Sequence, residues 1–401
     1  MRVLLSTIGS RGDVQPLVAL ALALKSLGQE VRLCAPPDFR EWIESFGIPV
    51  TPIGPEVRST AKASASAPLP TPEQRRQMME ATVAAQFETI TAAARGCDLV
   101  VGATALQVAA PSVAEWMGIP YVFAAYTPTV LPSPRHAPIA LRMLGDAAGP
   151  PPEDCAALWA QDAARWNETW GELLDSARAS LGLGPAGDVR THILTERPWL
   201  AADPVLAPWP GPYESGVFQT GAWILPDERP LAPELEAFLD AGEPPVYFGF
   251  GSIRAPEGLS GAMIGAARAL GRRSIISRGW AGLSLADEAP DCLVIGETNQ
   301  QALFGRVAAV VHHGGAGTTT AAKAGAPQVV IPQFYDQPYW ARRVQDLGIG
   351  AAHAPGAPAT DSLIDALRGA LAPDVASRAR SVAASIRGDG ATLAAQRLVS
   401  G

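Results

Sequence analysis

The stretch 307–337 reads V-A-A-V-V-H-H-G-G-A-G-T-T-T-A-A-K-A-G-A-P-Q-V-V-I-P-Q-F-Y-D-Q, and its residue types suit the holding of an anion. An apolar run that feeds a glycine turn and then a helix brings unpaired backbone N–H groups to one point, where the helix dipole adds partial positive charge. Gly314, Gly315 and Gly317 permit close backbone approach, Thr318 and Thr319 can cap the helix and donate hydroxyls, and His313 is placed to donate to an anionic oxygen. With Ala316, these residues form a phosphate-binding turn. Gly325, Ala326 and Pro327 end the helix, and 329–332 reads as the next parallel strand. Asp336 and Gln337 should then emerge on the same carboxyl edge as the turn.

Such a turn needs a frame of parallel strands. Residues 2–6 form a short apolar strand, 7–13 (T-I-G-S-R-G-D) a turn, and Pro16 marks the first turn of a helix over 17–27 that Gly28 stops. Strands at 30–34 and 50–53 flank a helix at 37–46, a β-α-β-α-β series that implies a parallel sheet with crossover helices. Helices follow at 73–94, 108–117 and 157–181, with strands at 98–101 and 121–125. Residues 58–72 and 146–154 read as flexible surface loops. The proline-rich segment 126–138, with Tyr126, Arg135 and His136, lies where loops of an α/β sheet meet ligands and is a candidate acceptor wall. Trp159, Trp166 and Trp170 are spaced for packing along one helix.

Four prolines within 203–216 suggest an extended connection, after which the βα pattern restarts with strands at 246–250, 273–277 and 292–295. Helices at 361–371 and 374–399 finish the chain. The fold class is α/β with two Rossmann-like, doubly wound domains facing a cleft. The expected divisions are 1–205, a linker at 206–225, a second domain at 226–384, and a C-terminal helix at 385–401 that crosses back to the first.

At 401 residues the chain exceeds a single core, in keeping with two domains. A formal charge of -8 gives no electrostatic footprint for nucleic acid or an anionic membrane. The four cysteines have neither zinc-site nor disulfide-framework spacing, and no apolar stretch reaches membrane-spanning length, so a cytoplasmic protein is expected. No D-x-D triplet occurs, which argues against a metal-clamped diphosphate. The leaving charge would fall to the helix terminus and His313.

The second half, with F-G-S-I at 250–253, S-R-G-W-A at 277–281, G-E-T-N-Q-Q-A-L-F at 296–304, H-H-G-G-A-G-T-T at 312–319 and D-Q-P-Y-W at 336–340, resembles the donor domain of GT-B glycosyltransferases of family 1. With G-S-R-G-D-V-Q-P at 9–16 and Q-T-G-A-W-I-L-P-D-E-R-P at 219–230, the chain is similar to actinobacterial enzymes that glycosylate glycopeptide and polyketide antibiotics, and more distantly to sterol glucosyltransferases. The resemblance covers nearly the whole length and is weakest between 58 and 205. It implies that the diphosphate of a UDP- or dTDP-hexose meets His313, the amides of Gly314 to Thr318, and Ser252. The nucleoside would lie against Arg278, Gly279, Trp280, Asn299 and Gln301, and the sugar hydroxyls against Asp336 and Gln337. Asp13 would be the general base, with Ser10 near the transferring sugar.

The implied activity is inverting, metal-independent transfer of a hexose to a hydroxyl of an apolar natural product. The nucleotide-sugar is the co-substrate, no other cofactor is needed, and a monomer or weak homodimer is expected. A nucleotide-sugar 2-epimerase and a non-catalytic nucleotide-sugar-binding accessory share the architecture and stand as alternatives. Several residues also have plainer readings. The G-S-R-G-D turn suits a surface loop with a solvated Arg–Asp pair, Asp336 a helix cap, Trp280 a core residue, and His312 a packing position.

Overall fold

The computed structural model describes residues 1–58, 71–139, 154–211, 216–251, 259–280, 283, 289–315 and 317–401. Ser252, Ala316 and nearly all of the loops expected at 58–72 and 146–154 lie outside the described residues. The described chain divides into two compact units, one of residues 1–138, 154–225 and 387–401, the other of 139 and 226–386.

The first unit is built on a parallel sheet of β1 (Arg2–Thr7), β2 (Glu30–Ala35), β3 (Val50–Pro52), β4 (Leu99–Ala103), β5 (Tyr121–Ala125), β6 (Trp199–Leu200) and β7 (Phe218–Gln219). The strand order is β3-β2-β1-β4-β5-β6-β7. In β1, the neighbours Val3, Leu4 and Leu5 are all fully buried, as a parallel strand covered on both faces requires. Each such side chain contributes about 1.5–3 kcal/mol when fully buried, so the central strands are rigid platforms for the loops at their ends. The chain runs outward from β1 to β3 and returns on the other side of β1 as β4. That reversal makes the carboxyl ends of β1 and β4 the topological switch point.

The second unit repeats the plan with β8 (Val246–Gly249), β9 (Ser274–Ser277), β10 (Cys292–Ile295), β11 (Ala309–His312), β12 (Gln328–Val330) and β13 (Gly350–Ala352). Their order is β10-β9-β8-β11-β12-β13, all parallel, with the switch point between β8 and β11. Alternation along β8 sends Val246 and Phe248 into one core with the helices Leu259–Ala269 and Thr360–Ala370. It sends Tyr247 into a second core with the helices Pro233–Asp240 and Gly317–Lys323.

Three expectations are corrected. The first helix runs Arg11–Ser26 rather than 17–27, because Ser10 and Asp13 form a capping box that starts it before Pro16, which therefore lies inside the helix. Residues 206–225 are not a free linker: they carry β7, which pairs with β6, and they belong to the first unit. The single helix expected over 374–399 is two, Pro373–Ala383 and Gly390–Ser400. The break spans 384–389, and the second helix restarts at Gly390, where a β-carbon would stand 2.5 Å from the carbonyl oxygen of Ala222. The helix Gly390–Ser400 packs on Arg11–Ser26.

Candidate active site

The turn expected to hold phosphate leaves the end of β11, beside the end of β8. His312, the last residue of β11, is 4% exposed and sets the turn. Its Nε2 lies 2.8 Å from Gln328 Oε1 and its Nδ1 accepts the Gly314 N–H at 3.1 Å, which fixes a neutral ring with the proton on Nε2. Burial pushes its pKa down to about 4, against the pull of Gln328.

His313 is walled in by glycines. A β-carbon on Gly315 would stand 2.5 Å from His313 Nε2, and one on Gly251 would stand 3.2 Å from Cε1. A β-carbon on Gly279 would stand 2.5 Å from the Gly251 carbonyl oxygen, which accepts the Trp280 N–H at 2.9 Å. Side chains at these three positions would displace the imidazole or part the loops after β8 and β9. His313 Nδ1 is buried without a hydrogen-bond partner among the described residues, and so is Thr318 Oγ1. Burial, with His312 adding to it, pushes the His313 pKa down to about 3. Two buried polar atoms are thus left unsatisfied at one turn, where folded proteins ordinarily pair such groups.

The amide donors are fewer than expected. Gly314 gives its N–H to His312, and Thr318 gives its N–H to the Gly315 carbonyl at 2.9 Å. The helix Gly317–Lys323 has only seven residues. Its dipole therefore counts for less here than the orphaned imidazole and hydroxyl.

Asp336 is the N-cap residue of the helix Gln337–Asp346, but its side chain does not cap it. Its Oδ2 instead accepts the Trp340 Nε1–H at 2.8 Å. Burial pushes the Asp336 pKa up, and the Trp340 bond opposes that shift. Gln337 is 4% exposed, and its Oε1 accepts the N–H groups of Gln333 at 2.7 Å and Phe334 at 3.2 Å. Its amide carbonyl thus shapes the loop that presents Asp336. Within that loop Tyr335 holds φ 56°, a strained conformation for a bulky residue.

Among the nucleoside residues, Arg278 is exposed with no ion pair among the described residues, and Trp280 is half-buried. Asn299 is corrected. Its Oδ1 accepts the Ala302 N–H at 3.0 Å, and its Nδ2 donates to the carbonyls of Asp227 and Arg229, each at 2.8 Å. All of its donors are committed within the protein, so it is a cap and a tie. Gln301 Oε1 accepts the Asp227 N–H at 3.3 Å.

In the first unit, Ser10 and Asp13 follow β1 at the switch point. Asp13 Oδ2 accepts the Ser10 N–H at 2.6 Å and the Ser10 hydroxyl at 3.1 Å. The Tyr126 hydroxyl donates to the Asp13 carbonyl at 3.1 Å, so Tyr126 braces the start of the helix. Thr104, after β4, takes φ 70° and donates its hydroxyl to the Ile8 carbonyl at 3.3 Å, tying the two loops at the switch point. Arg135 is exposed. His136 is a packing residue: its Nε2 contacts the Leu131 carbonyl at 2.9 Å, and its ring meets Trp159 and Trp209 edge-on at 5.8 and 6.0 Å. Burial lowers its pKa, which sets it apart from a solvated loop residue.

Residues 3–133 match the glycosyltransferase family 28 N-terminal domain, and 284–393 match the erythromycin biosynthesis protein CIII-like C-terminal domain. The vancomycin aglycone glucosyltransferase of Amycolatopsis orientalis is 52% identical over 402 residues, covering 100% of this chain and 97% of the relative. The dTDP-epi-vancosaminyltransferase of the same organism is 46% identical, covering 95% and 93%. The chain belongs to this glycosyltransferase family.

The fold of this glycosyltransferase is GT-B. The crystal structure of the kitacinnamycin glycotransferase matches it with a TM-score of 0.73 at 20% identity, covering 100% of this chain and 98% of that one. Relatives named as transferases over the full length leave the epimerase and accessory readings without support. Among the described residues no cluster of His, Cys, Asp or Glu could hold a metal ion, and no helix is long and apolar enough to cross a membrane. The sequence reading gave Thr104 no role, and it named Gly251 and Trp340 only within the motifs 250–253 and 336–340. Of these, only Trp340 carried a usable signal, since it lies four residues after Asp336 and so shares a helix face with it.

Proposed function

We propose that this glycosyltransferase moves a hexose from a UDP- or dTDP-sugar to a hydroxyl of a glycopeptide-antibiotic aglycone, with inversion and without a metal ion. The names of the two Amycolatopsis relatives support the donor and acceptor classes. The observation that carries the donor site is the pair of unsatisfied buried atoms, His313 Nδ1 and Thr318 Oγ1, at a turn where glycines exclude side chains. A diphosphate there accepts from His313, from the Thr318 hydroxyl and from the remaining turn amides, with Ser252 as a further donor. Arg278, Gly279, Trp280 and Gln301 hold the nucleoside, and Asp336 takes sugar hydroxyls.

Asp13 is the base in this reading. The acceptor oxygen attacks the anomeric carbon, its proton passes to the Asp13 carboxylate, and the bond to the diphosphate breaks with the electron pair leaving on the phosphate oxygen. A single in-line displacement inverts the anomeric centre. Ser10 keeps the carboxylate in place.

The test is incubation with UDP- or dTDP-glucose and a glycopeptide aglycone in the presence of a chelator, followed by mass spectrometry and NMR of the anomeric proton. One added hexose of inverted configuration is expected. Sugar isomerisation without an acceptor, loss of transfer on chelation, or retained configuration would each overturn the corresponding part of the reading.

A further inference from the structure

An aspartate at an N-cap position ordinarily turns its carboxylate onto the amides of the first helical turn. Asp336 does not. The residue two positions on is Pro338, which has no N–H to give, and Tyr339 gives its N–H to the Asp336 backbone carbonyl at 3.0 Å. The carboxylate is held instead by the indole of Trp340, one turn along the same helix, at 2.8 Å. Trp340 is 6% exposed and meets Tyr339 edge-on at 5.3 Å, so the indole has little freedom to move. An indole N–H is a donor only, so it can hold a carboxylate oxygen without competing for a sugar hydroxyl.

We propose that Trp340 is a positioning residue for donor recognition: its N–H fixes one carboxylate oxygen of Asp336 and leaves the other to accept from the donor sugar. This rests on the reading of Asp336 as a sugar ligand. Trp340 acts on the sugar only through Asp336. Gln337, which gathers the Gln333 and Phe334 amides, and the strained Tyr335 complete the support of the same loop.

The test is a double-mutant cycle on the full-length enzyme. Trp340→Phe keeps the ring and removes the donor. It is expected to raise KM for the nucleotide-sugar about tenfold while kcat changes by about twofold or less, the scale of losing a hydrogen bond to a charged group. Asp336→Ala alone should raise KM at least as much, and adding Trp340→Phe to it should raise KM by about twofold or less. If Asp336→Ala leaves KM unchanged, the donor reading of Asp336 fails. If Asp336→Ala raises KM but Trp340→Phe does not, or if Trp340→Phe costs the same in both backgrounds, Trp340 is only a packing residue and the proposal is overturned. A second readout needs no change at Trp340. In enzyme labelled with 15N-tryptophan, one indole N–H resonance should titrate with pH and lose that titration in Asp336→Ala. The absence of such a resonance would also overturn the proposal.

Discussion

Gly9→Ala tests the assignment of the base without touching the base. A β-carbon at Gly9 would stand 2.3 Å from Asp13 Oδ2 and 2.5 Å from its Cγ, whereas ordinary contact begins at 3.4 Å, so the carboxylate must retreat by about 1 Å. That oxygen is the one that accepts both Ser10 bonds, at 2.6 and 3.1 Å, and the retreat breaks the capping box as well. Losing such a cap costs about 1 kcal/mol, too little to unfold a unit with this much buried strand. A displacement of about 1 Å at a reacting group costs about a hundredfold in rate. In a continuous assay of nucleoside diphosphate release, Gly9→Ala should therefore lower kcat about a hundredfold, while Asp13→Ala lowers it by about a thousandfold. Calorimetric affinity for the nucleoside diphosphate should hold within about twofold in both, because the diphosphate is assigned to the second unit. Gly9→Ala folded with kcat within about twofold of wild type would show that the Asp13 carboxylate is not the group that takes the proton.

Three further outcomes follow from the site and the buried histidines. His313→Ala should weaken nucleoside diphosphate binding about tenfold or more, by removing a donor to a charged group, as isothermal titration calorimetry would read. His312→Phe acts differently: it leaves the Gly314 N–H without its acceptor, so it should lower the thermal stability of the second unit by about 1–3 kcal/mol as well as weaken binding. The third outcome is a pH dependence of stability. His192, bonded to Ser112 at 2.8 Å, is pushed down to about 4 by burial and by Arg178, and His312 is pushed down to about 4 by burial. Both stay neutral in the folded protein while their unfolded counterparts gain protons below about 6.5. Their stabilisation is complete above that pH and is lost as pH falls toward 4. At pH 5 each costs about 2 kcal/mol. Melting scans from pH 7.5 to 5 should show a falling midpoint, and the fall should shrink in His192→Gln. An unchanged slope would refute the assignment for that residue.

The alternating apolar runs and glycine stops made both parallel sheets legible in the sequence, since a strand buried on both faces leaves a dense Val, Ile and Leu signature that little else produces. Shorter elements escaped. β6, β7 and β13 have two or three residues each, too few to show a period, and β7 follows a run of prolines that reads as a connection. The start of the first helix was misplaced because Pro16 was taken as its marker, whereas the Ser10–Asp13 box governs it. The restart at Gly390 sits against residues 221 and 222, a long-range approach that no local pattern encodes.

The site residues divide by a property that residue type does not reveal, namely whether a polar group is already satisfied. His313 and Asn299 both lie after a strand of the second sheet, and both are chemically able to meet a nucleotide. Asn299 has both of its side-chain N–H groups on carbonyls and its oxygen on an amide, so recruiting it would cost the cap of the helix Gln300–Phe304 and the tie to residues 227–229. His313 has a buried nitrogen with no partner among the described residues and glycines on either side, so a ligand there replaces nothing and satisfies a group that burial left wanting. By the same test His136, clamped by Trp159 and Trp209, has its Nε2 on a carbonyl, and Gln337 has its oxygen on the amides of the loop around Asp336. Binding capacity here is what remains after the fold has used its own donors and acceptors. The sequence could name the candidates, but that remainder became countable only once the partners were in place.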